Sequence, residues 1–373
     1  MKKSIVALAV VSIGLATPLA QAQELVVRLG GVAPLTGNQS HLGKDLENGS
    51  RLAIEEANAQ GVVIGGRKVR FEFIGEDDQA DPRTGTTVAQ RLVDAGVKGV
   101  IGHLNSGTSI PASRIYDQAG IPQVSPASTN PKLTLQGFEG VFRTIANDVQ
   151  QGTGIGNFAV NTLGAKKIAI IDDRTAYGQG LADETEKAVK AAGGQIVARE
   201  FTTDKATDFN AILTKIRAAA PEVVIYGGMD AQGGPMLRQM KQLGINARFV
   251  TGDGGCSPEI IKLAGDAMSS SAYCTMPGLP LEKMPGGADF RERYKARFKT
   301  DVQVYSPYAY DAASAIIRAM QAADSVEPAK YLPALKQTRF PGVIGNVAFD
   351  ANGDIRDGAV TVYQFKDGAW VPL

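Results

Sequence analysis

Apolar and polar positions along the chain fall into short runs that switch between two periods. Leu25-Val26-Val27-Arg28-Leu29-Gly30-Gly31-Val32 is almost continuously apolar, which predicts a buried strand, and Pro34 to Gly37 supply turn residues behind it. Leu42, Leu46, Ala53 and Ala57 then recur at near-helical spacing, whereas Val69, Phe71 and Phe73 alternate with Arg70 and Glu72 as a strand does. The pattern continues with a helix near 86–95, a strand over 99–102, a helix from about Ser109 to Gln118 and a strand over 121–124. A second series opens after Val141 to Ile145. It predicts helices near 150–162, 181–192, 209–219 and 235–243, alternating with strands over 167–171, 195–198, 223–226 and 248–251. Two such series imply an α/β fold of two Rossmann-like lobes, each a mostly parallel sheet covered by helices.

The C-terminal stretch breaks this rhythm. Helices are expected near 289–299, 307–323 and 331–336, followed by short strands with turns at Asn352-Gly353 and Asp367-Gly368. Such a tail cannot complete either sheet alone, so it returns to both lobes and joins them by several hinge strands. The expected division is 23–146 with 277–355 for the N-terminal lobe, and 147–276 with 356–373 for the C-terminal lobe.

The N-terminus reads as an address. Lys2 and Lys3 precede the apolar run Ile5 to Ala16, and Ala20-Gln21-Ala22 has the small-x-small pattern of a cleavage site. A signal peptide over 1–22 is expected, releasing a periplasmic protein that starts at Gln23. Beyond it no apolar stretch approaches the roughly 20 residues of a membrane span. With 39 Lys+Arg against 38 Asp+Glu and no basic run, neither duplex binding nor a polybasic membrane patch is expected. The two cysteines, Cys256 and Cys274, are expected to be bridged in an oxidising compartment. The two histidines, His41 and His103, lie far from them in sequence, so no metal site is expected.

Ligands of open α/β sheets bind beyond the carboxyl ends of the strands, and those ends are polar here. His103-Leu104-Asn105-Ser106-Gly107-Thr108-Ser109-Ile110-Pro111 follows one strand. Ser109 is the expected N-cap, with Pro111 in the first turn, and such a helix start suits a carboxylate. Ser125-Pro126-Ala127-Ser128-Thr129-Asn130-Pro131 follows the next, offering carbonyls to an ammonium and hydroxyls to a carboxylate. In the second series the strand ends carry Asp172 to Gly178, Gly227-Gly228-Met229-Asp230 and Gly252-Asp253-Gly254-Gly255. Glycines beside Met229 and Asp253 allow close backbone approach, and Asp253 is the carboxylate matched to a cation.

Asp77-Asp78-Gln79-Ala80-Asp81-Pro82, Val100-Ile101-Gly102-His103-Leu104, Pro126-Ala127-Ser128-Thr129-Asn130-Pro131, Tyr177-Gly178-Gln179-Gly180, Tyr226-Gly227-Gly228 and Thr361-Val362-Tyr363-Gln364-Phe365 resemble, in the same order, the type I periplasmic binding proteins of the leucine/isoleucine/valine class, the binding components of ABC transporters. The resemblance implies that a ligand α-carboxylate is held at Ser106 and Thr129, within the Ala127-Ser128-Thr129 loop. Its ammonium would meet the Ala127 carbonyl and Asp253. Tyr177 would close over the ligand, and Leu42, Leu104, Asn105, Met229 and Tyr305 would line the side-chain pocket. Three departures alter that pocket: Asp253 stands in place of a glutamate, Leu42 and Met229 replace aromatic residues, and Asn105 replaces a cysteine.

The expected function is capture of a branched-chain or related α-amino acid by hinge closure and delivery to an ABC permease, by a monomer that needs no cofactor. A periplasmic sensor of a small acid or amide is the alternative. An enzyme is not expected. Gly154-Ile155-Gly156-Asn157-Phe158-Ala159 fits G-x-G-x-x-A but lies within a helical pattern instead of at a strand end, and Ser106 with His103 lacks the G-x-S-x-G elbow of a hydrolase. Asp77, Asp78 and Asp81 lack the glycine and distal glutamate of a calcium loop and read as a turn capped by aspartate.

Overall fold

The apolar run that opens the first series forms β1 (Leu25–Ala33), whose last five residues are all buried. The structure is a computed structural model describing residues 24–373; the expected signal peptide lies outside the described residues. After β1 come α1 (Ser40–Gln60), β2 (Val63–Ile64), β3 (Arg67–Asp77), α2 (Pro82–Asp94), β4 (Val100–Gly102), α3 (Ser106–Gln118), β5 (Gln123–Ser125) and β6 (Val141–Arg143). They build a six-stranded sheet in the order β2-β3-β1-β4-β5-β6. Every pair from β3 to β6 is parallel, and only the short β2 runs antiparallel to β3. α1 buries Leu42, Leu46, Ala53 and Ala57, the stripe its spacing predicts, and ends at Gly61.

The second lobe contains α4 (Asp148–Asn157), continued by a π-helical turn through Thr162, then β7 (Lys167–Asp172), α5 (Ala176–Ala191), β8 (Gln195–Phe201), α6 (Asn210–Ala219), β9 (Val223–Gly227), α7 (Asp230–Gln242), β10 (Arg248–Thr251), α8 (Pro258–Ala264) and β11 (Ala272–Met276). The tail adds α9 (Gly287–Phe298), α10 (Ser306–Ala322), α11 (Pro328–Lys336), β12 (Arg339–Pro341), β13 (Asn346–Ala348), β14 (Thr361–Lys366) and β15 (Ala369–Pro372). β14 and β15 join the second sheet, whose order is β15-β14-β11-β10-β9-β7-β8. By contrast Ala312, Ile316 and Met320 of α10, Tyr331 of α11, and Phe340 and Val347 of the β12–β13 hairpin share one core with Ile101, Val124 and Phe142 of the first sheet.

The chain therefore crosses between the lobes three times: between β6 and α4, between β11 and α9, and between β13 and β14. Side chains tie these crossings together. Thr361 Oγ1 donates to the Gly278 carbonyl at 2.7 Å, Asn147 Nδ2 to Asp354 Oδ2 at 2.9 Å, and Thr144 Oγ1 to the Tyr308 carbonyl at 3.0 Å.

Several helices begin earlier than the apolar periodicity predicts. α2 starts at Pro82 because Asp81 caps it, accepting from the Arg83 and Thr84 N–H groups at 3.0 and 2.8 Å. α5 starts at Ala176, with the Thr175 hydroxyl accepting from Gly178 N–H at 3.0 Å. α3 begins at Ser106, not at a Ser109 cap, and α7 at Asp230, so Pro111 and Pro235 lie inside their helices. The first turns of α3, α5 and α7 are small, polar or glycine-rich and carry no apolar stripe to read. α8 and β11 are elements that the hydrophobic pattern leaves out. They carry the two cysteines: Cys256 lies just before α8 and Cys274 within β11, joined as a disulfide with Cα atoms 5.3 Å apart.

Candidate functional site

In each sheet, consecutive connections leave in opposite directions at one point, between β1 and β4 in the first and between β7 and β9 in the second. Such switch points open a crevice at the strand carboxyl ends. The two crevices face each other, and between them lies a cavity of about 10 Å3 lined by Leu104, Asn105, Ser106, Ala127, Tyr177, Met229, Asp253 and Tyr305. That is room for about one water-sized sphere. The lobes are closed.

The first-lobe wall is laced from below. His103 is fully buried, with Nδ1 2.9 Å from Asp78 Oδ2 and Nε2 3.1 Å from Tyr116 OH. Ser125 Oγ donates to the His103 carbonyl at 2.9 Å, Ser128 Oγ donates to the Leu104 carbonyl at 3.0 Å, and Ser109 and Ser128 are hydroxyl-bonded to each other. The Asn130 N–H donates to Ser106 Oγ at 3.2 Å. Beneath the second loop the wholly buried Arg143 donates to the carbonyls of Ser128 and Asn130 at 2.7 and 3.0 Å, to Thr134 Oγ1 at 2.9 Å and to Asp354. At the N-cap of α3, the Asn105 side chain makes no capping bond, so the first amides of that helix keep their donors and dipole for a ligand.

The second-lobe wall is built around one carboxylate. Asp253 Oδ1 accepts from Tyr177 OH at 2.8 Å, and its Oδ2 accepts from Tyr305 OH at 2.7 Å. Tyr177 belongs to the same lobe; Tyr305 reaches across from the first. Burial pushes the Asp253 carboxyl above its ordinary value, against the hydrogen bonds from Tyr305, Tyr177 and Gln151. The glycines here make room for protein side chains: a Cβ on Gly254 would lie 2.7 Å from Met229 Sδ and 2.9 Å from the Tyr177 ring. Close approach at these glycines is thus made by the pocket's own residues.

Eight of the residues singled out from sequence meet around this cavity; Leu42, Ser128 and Thr129 do not line it. Leu42 is buried in the core behind Leu104, Met229 and Tyr305. Ser128 is spent on bracing the loop, and the Thr129 hydroxyl lies against Asp148.

Sequence reasoning missed three groups. Arg143 stood in a strand with nothing to mark its partners. Asp148 opens α4 beside the cap Asn147; burial, reinforced by the charges of Asp253 and Glu184 and opposed by the Thr129 hydroxyl and Arg143, pushes its carboxyl up to about 8. His41 of α1 reaches the other lobe, its Nε2 2.8 Å from Oδ2 of Asp230, which also accepts from Ser257. Burial pulls the His41 imidazole down, but the Asp230 hydrogen bond and charge outweigh it and the group lies above its ordinary value. Asn130 Nδ2 forms a further tie between lobes, donating to the Ala176 carbonyl at 2.6 Å. It is close enough that a Cβ on Gly180 would lie 2.4 Å from it. Asp81 caps the helix α2 where the sequence suggested a capped turn, while Asp77 accepts from Leu35 and Gln79 N–H at 2.8 and 2.9 Å.

Residues 26–369 match the family described as periplasmic binding protein. The chain belongs to that family. An amino acid binding protein of Pseudomonas aeruginosa is 37% identical over 369 residues, covering 98% of this chain and 96% of its own. Leu/Ile/Val-binding protein homolog 1 of Brucella abortus is 36% identical over 337 residues, covering 90% and 89%. Among solved structures, the leucine binding protein LivK of Thermotoga maritima superposes with a TM-score of 0.85 at 28% identity, over 93% of this chain and 97% of that one. The architecture is that of the type I periplasmic binding proteins, and the family's members bind substrates instead of transforming them.

Proposed function

We propose that this protein captures a branched-chain or related α-amino acid in the cleft between its lobes and delivers it to an ABC permease. The observation that carries the reading is the polarity of the two walls. An uncapped helix start with Ser106 faces a buried carboxylate, Asp253, across one cavity, and a zwitterion carries the complementary pair of charges. The relatives' names support the ligand class. In the first wall the amides and hydroxyl of α3's opening turn take the α-carboxylate. Asp253 and the Ala127 carbonyl take the ammonium.

The cavity is smaller than an amino acid, so the ligand enters with the lobes apart and takes space that Met229 and the tyrosines fill here. Ligand contacts made with both lobes stabilise the closed form, and that differential affinity drives closure. A micromolar complex corresponds to about −8 kcal/mol. A few charge-assisted hydrogen bonds of roughly 1.5–3 kcal/mol each, with side-chain burial, supply it. The N-terminal segment acts as a signal peptide, the protein works as a periplasmic monomer, and the lobes divided at 146/147, 276/277 and 355/356 move about their three crossings.

Calorimetry on protein unfolded, stripped of co-purified compounds and refolded tests the reading. Saturable heat with leucine, isoleucine, valine or a related α-amino acid is expected; silence with every such compound overturns it.

A further inference from the structure

Asn105 behaves unlike an ordinary cap. Its backbone is extended at the N-cap of α3, with φ −80° and ψ 139°, the position from which an asparagine oxygen normally accepts from the first-turn amides. Here the side chain turns away from the helix. Nδ2 donates to Gln39 Oε1 at 2.8 Å, which fixes the amide, and Oδ1 is buried without a partner. Asn105 lines the cavity, whose lining also includes Leu104, Met229 and Tyr305. A buried acceptor left unpaired is costly, and a ligand able to pair with it removes that cost.

We propose that Asn105 is a specificity-determining residue that selects α-amino acids bearing a hydroxyl on the β-carbon, so that threonine binds more tightly than its isostere valine. The inference rests on the α-amino-acid reading above. The position of the hydroxyl follows from chain geometry. Asn105 and Ser106 are adjacent, with Cα atoms about 3.8 Å apart. The ligand atom that meets Asn105 therefore lies close to the carboxylate that meets the α3 start, which suits a β-substituent and not the end of a long side chain. A hydroxyl both donates and accepts, so it fits whichever face of the amide it meets. A site built to hydrogen-bond a hydroxyl rejects the analogue that lacks it, because the site's own group is then stranded.

The test is calorimetric titration of the refolded protein with threonine, valine and leucine, repeated on Asn105→Leu. The expected result is threonine bound about tenfold or more tightly than valine by the parent protein, with the ratio abolished or reversed in the variant. The threonine-to-valine ratio of the parent protein stands as a test even if the variant does not fold. Valine bound as tightly as threonine, or a ratio unchanged in a folded Asn105→Leu, overturns the role of Asn105 and leaves amino-acid capture standing. No binding of any of the three overturns both.

Discussion

The two walls of the cleft are held in place by different means. On the first-lobe side the serines beneath the two loops are committed to neighbours in their own lobe: Ser125, Ser128 and Ser109 to one another and to carbonyls, with Arg143 clamping the loop from beneath. On the second-lobe side one buried carboxylate is steadied by two tyrosines, of which Tyr305 comes from the opposite lobe. The first wall is thus a preformed receptor, while the second is completed only when the lobes meet. Closure, and not local folding, assembles the acidic half of the site.

That contrast can be broken from either side. Arg143→Ala should have the largest effect and act on folding. It leaves the Asp354 carboxylate without its guanidinium and the Ser128 carbonyl without its Arg143 donor, and breaking a buried pair costs about 3–5 kcal/mol, read as a lower denaturant midpoint. Asp253→Asn should act on binding instead. Loss of the charge facing the ammonium weakens the amino acid by about ten- to a hundredfold in calorimetry, while thermal stability holds or rises because a buried charge is removed. Ser106→Ala should cost about tenfold or less, since the α3 amides remain. Equal losses of binding and stability in either variant would make these residues structural.

The seam between the walls offers two pH experiments. The folded state holds the Asp148 proton up to about 8, whereas the unfolded chain releases it near 3.8. Between those values the unfolded state binds fewer protons, so this group's contribution to stability falls as pH rises. The melting-temperature advantage of Asp148→Asn should therefore grow from pH 4 to about 8 and then level off. His41 works on closure. Its raised value in the closed form means that the latch to Asp230 is fully present below the ordinary histidine value of 6.5 and is lost as pH rises through the higher closed-form value. Glu259 adds to the raising and Lys262 opposes it. Affinity should weaken by about threefold between pH 6 and 8, the scale of a part-exposed ion pair, and His41→Gln should flatten the profile.

The smallest expected signal is optical. Trp370 donates to the Ser257 carbonyl at 3.0 Å and lines a groove of about 390 Å3 between α8 and β15 on one side and residues 281–308 on the other. Its emission should shift modestly on adding ligand. No change at saturation would mean that the groove does not open and close with the cleft.

Most strands were legible because their apolar runs are contiguous, as in β1, β7 and β9. Helix starts were poorly legible: the one helix cap read from sequence, Ser109, lies inside α3. Asp81 caps α2 while Asn105 sits at the cap position of α3 and withholds its side chain, and sequence has no sign by which to tell these apart. The Ser106, Tyr177 and Asp253 neighbourhoods stood out as polar strand ends. Asp148, Arg143 and His41 did not, since their significance lies wholly in what they meet.

By itself the sequence determined the alternation of strands and helices, the two series and the polar strand ends, because periodicity and turn chemistry are properties of neighbouring residues. Only the tertiary structure decided which groups share the cavity. Tyr177 and Asp253 are 76 positions apart and His41 and Asp230 are 189 apart, and pairings at such separations are set by how whole sheets and lobes pack, not by any local pattern.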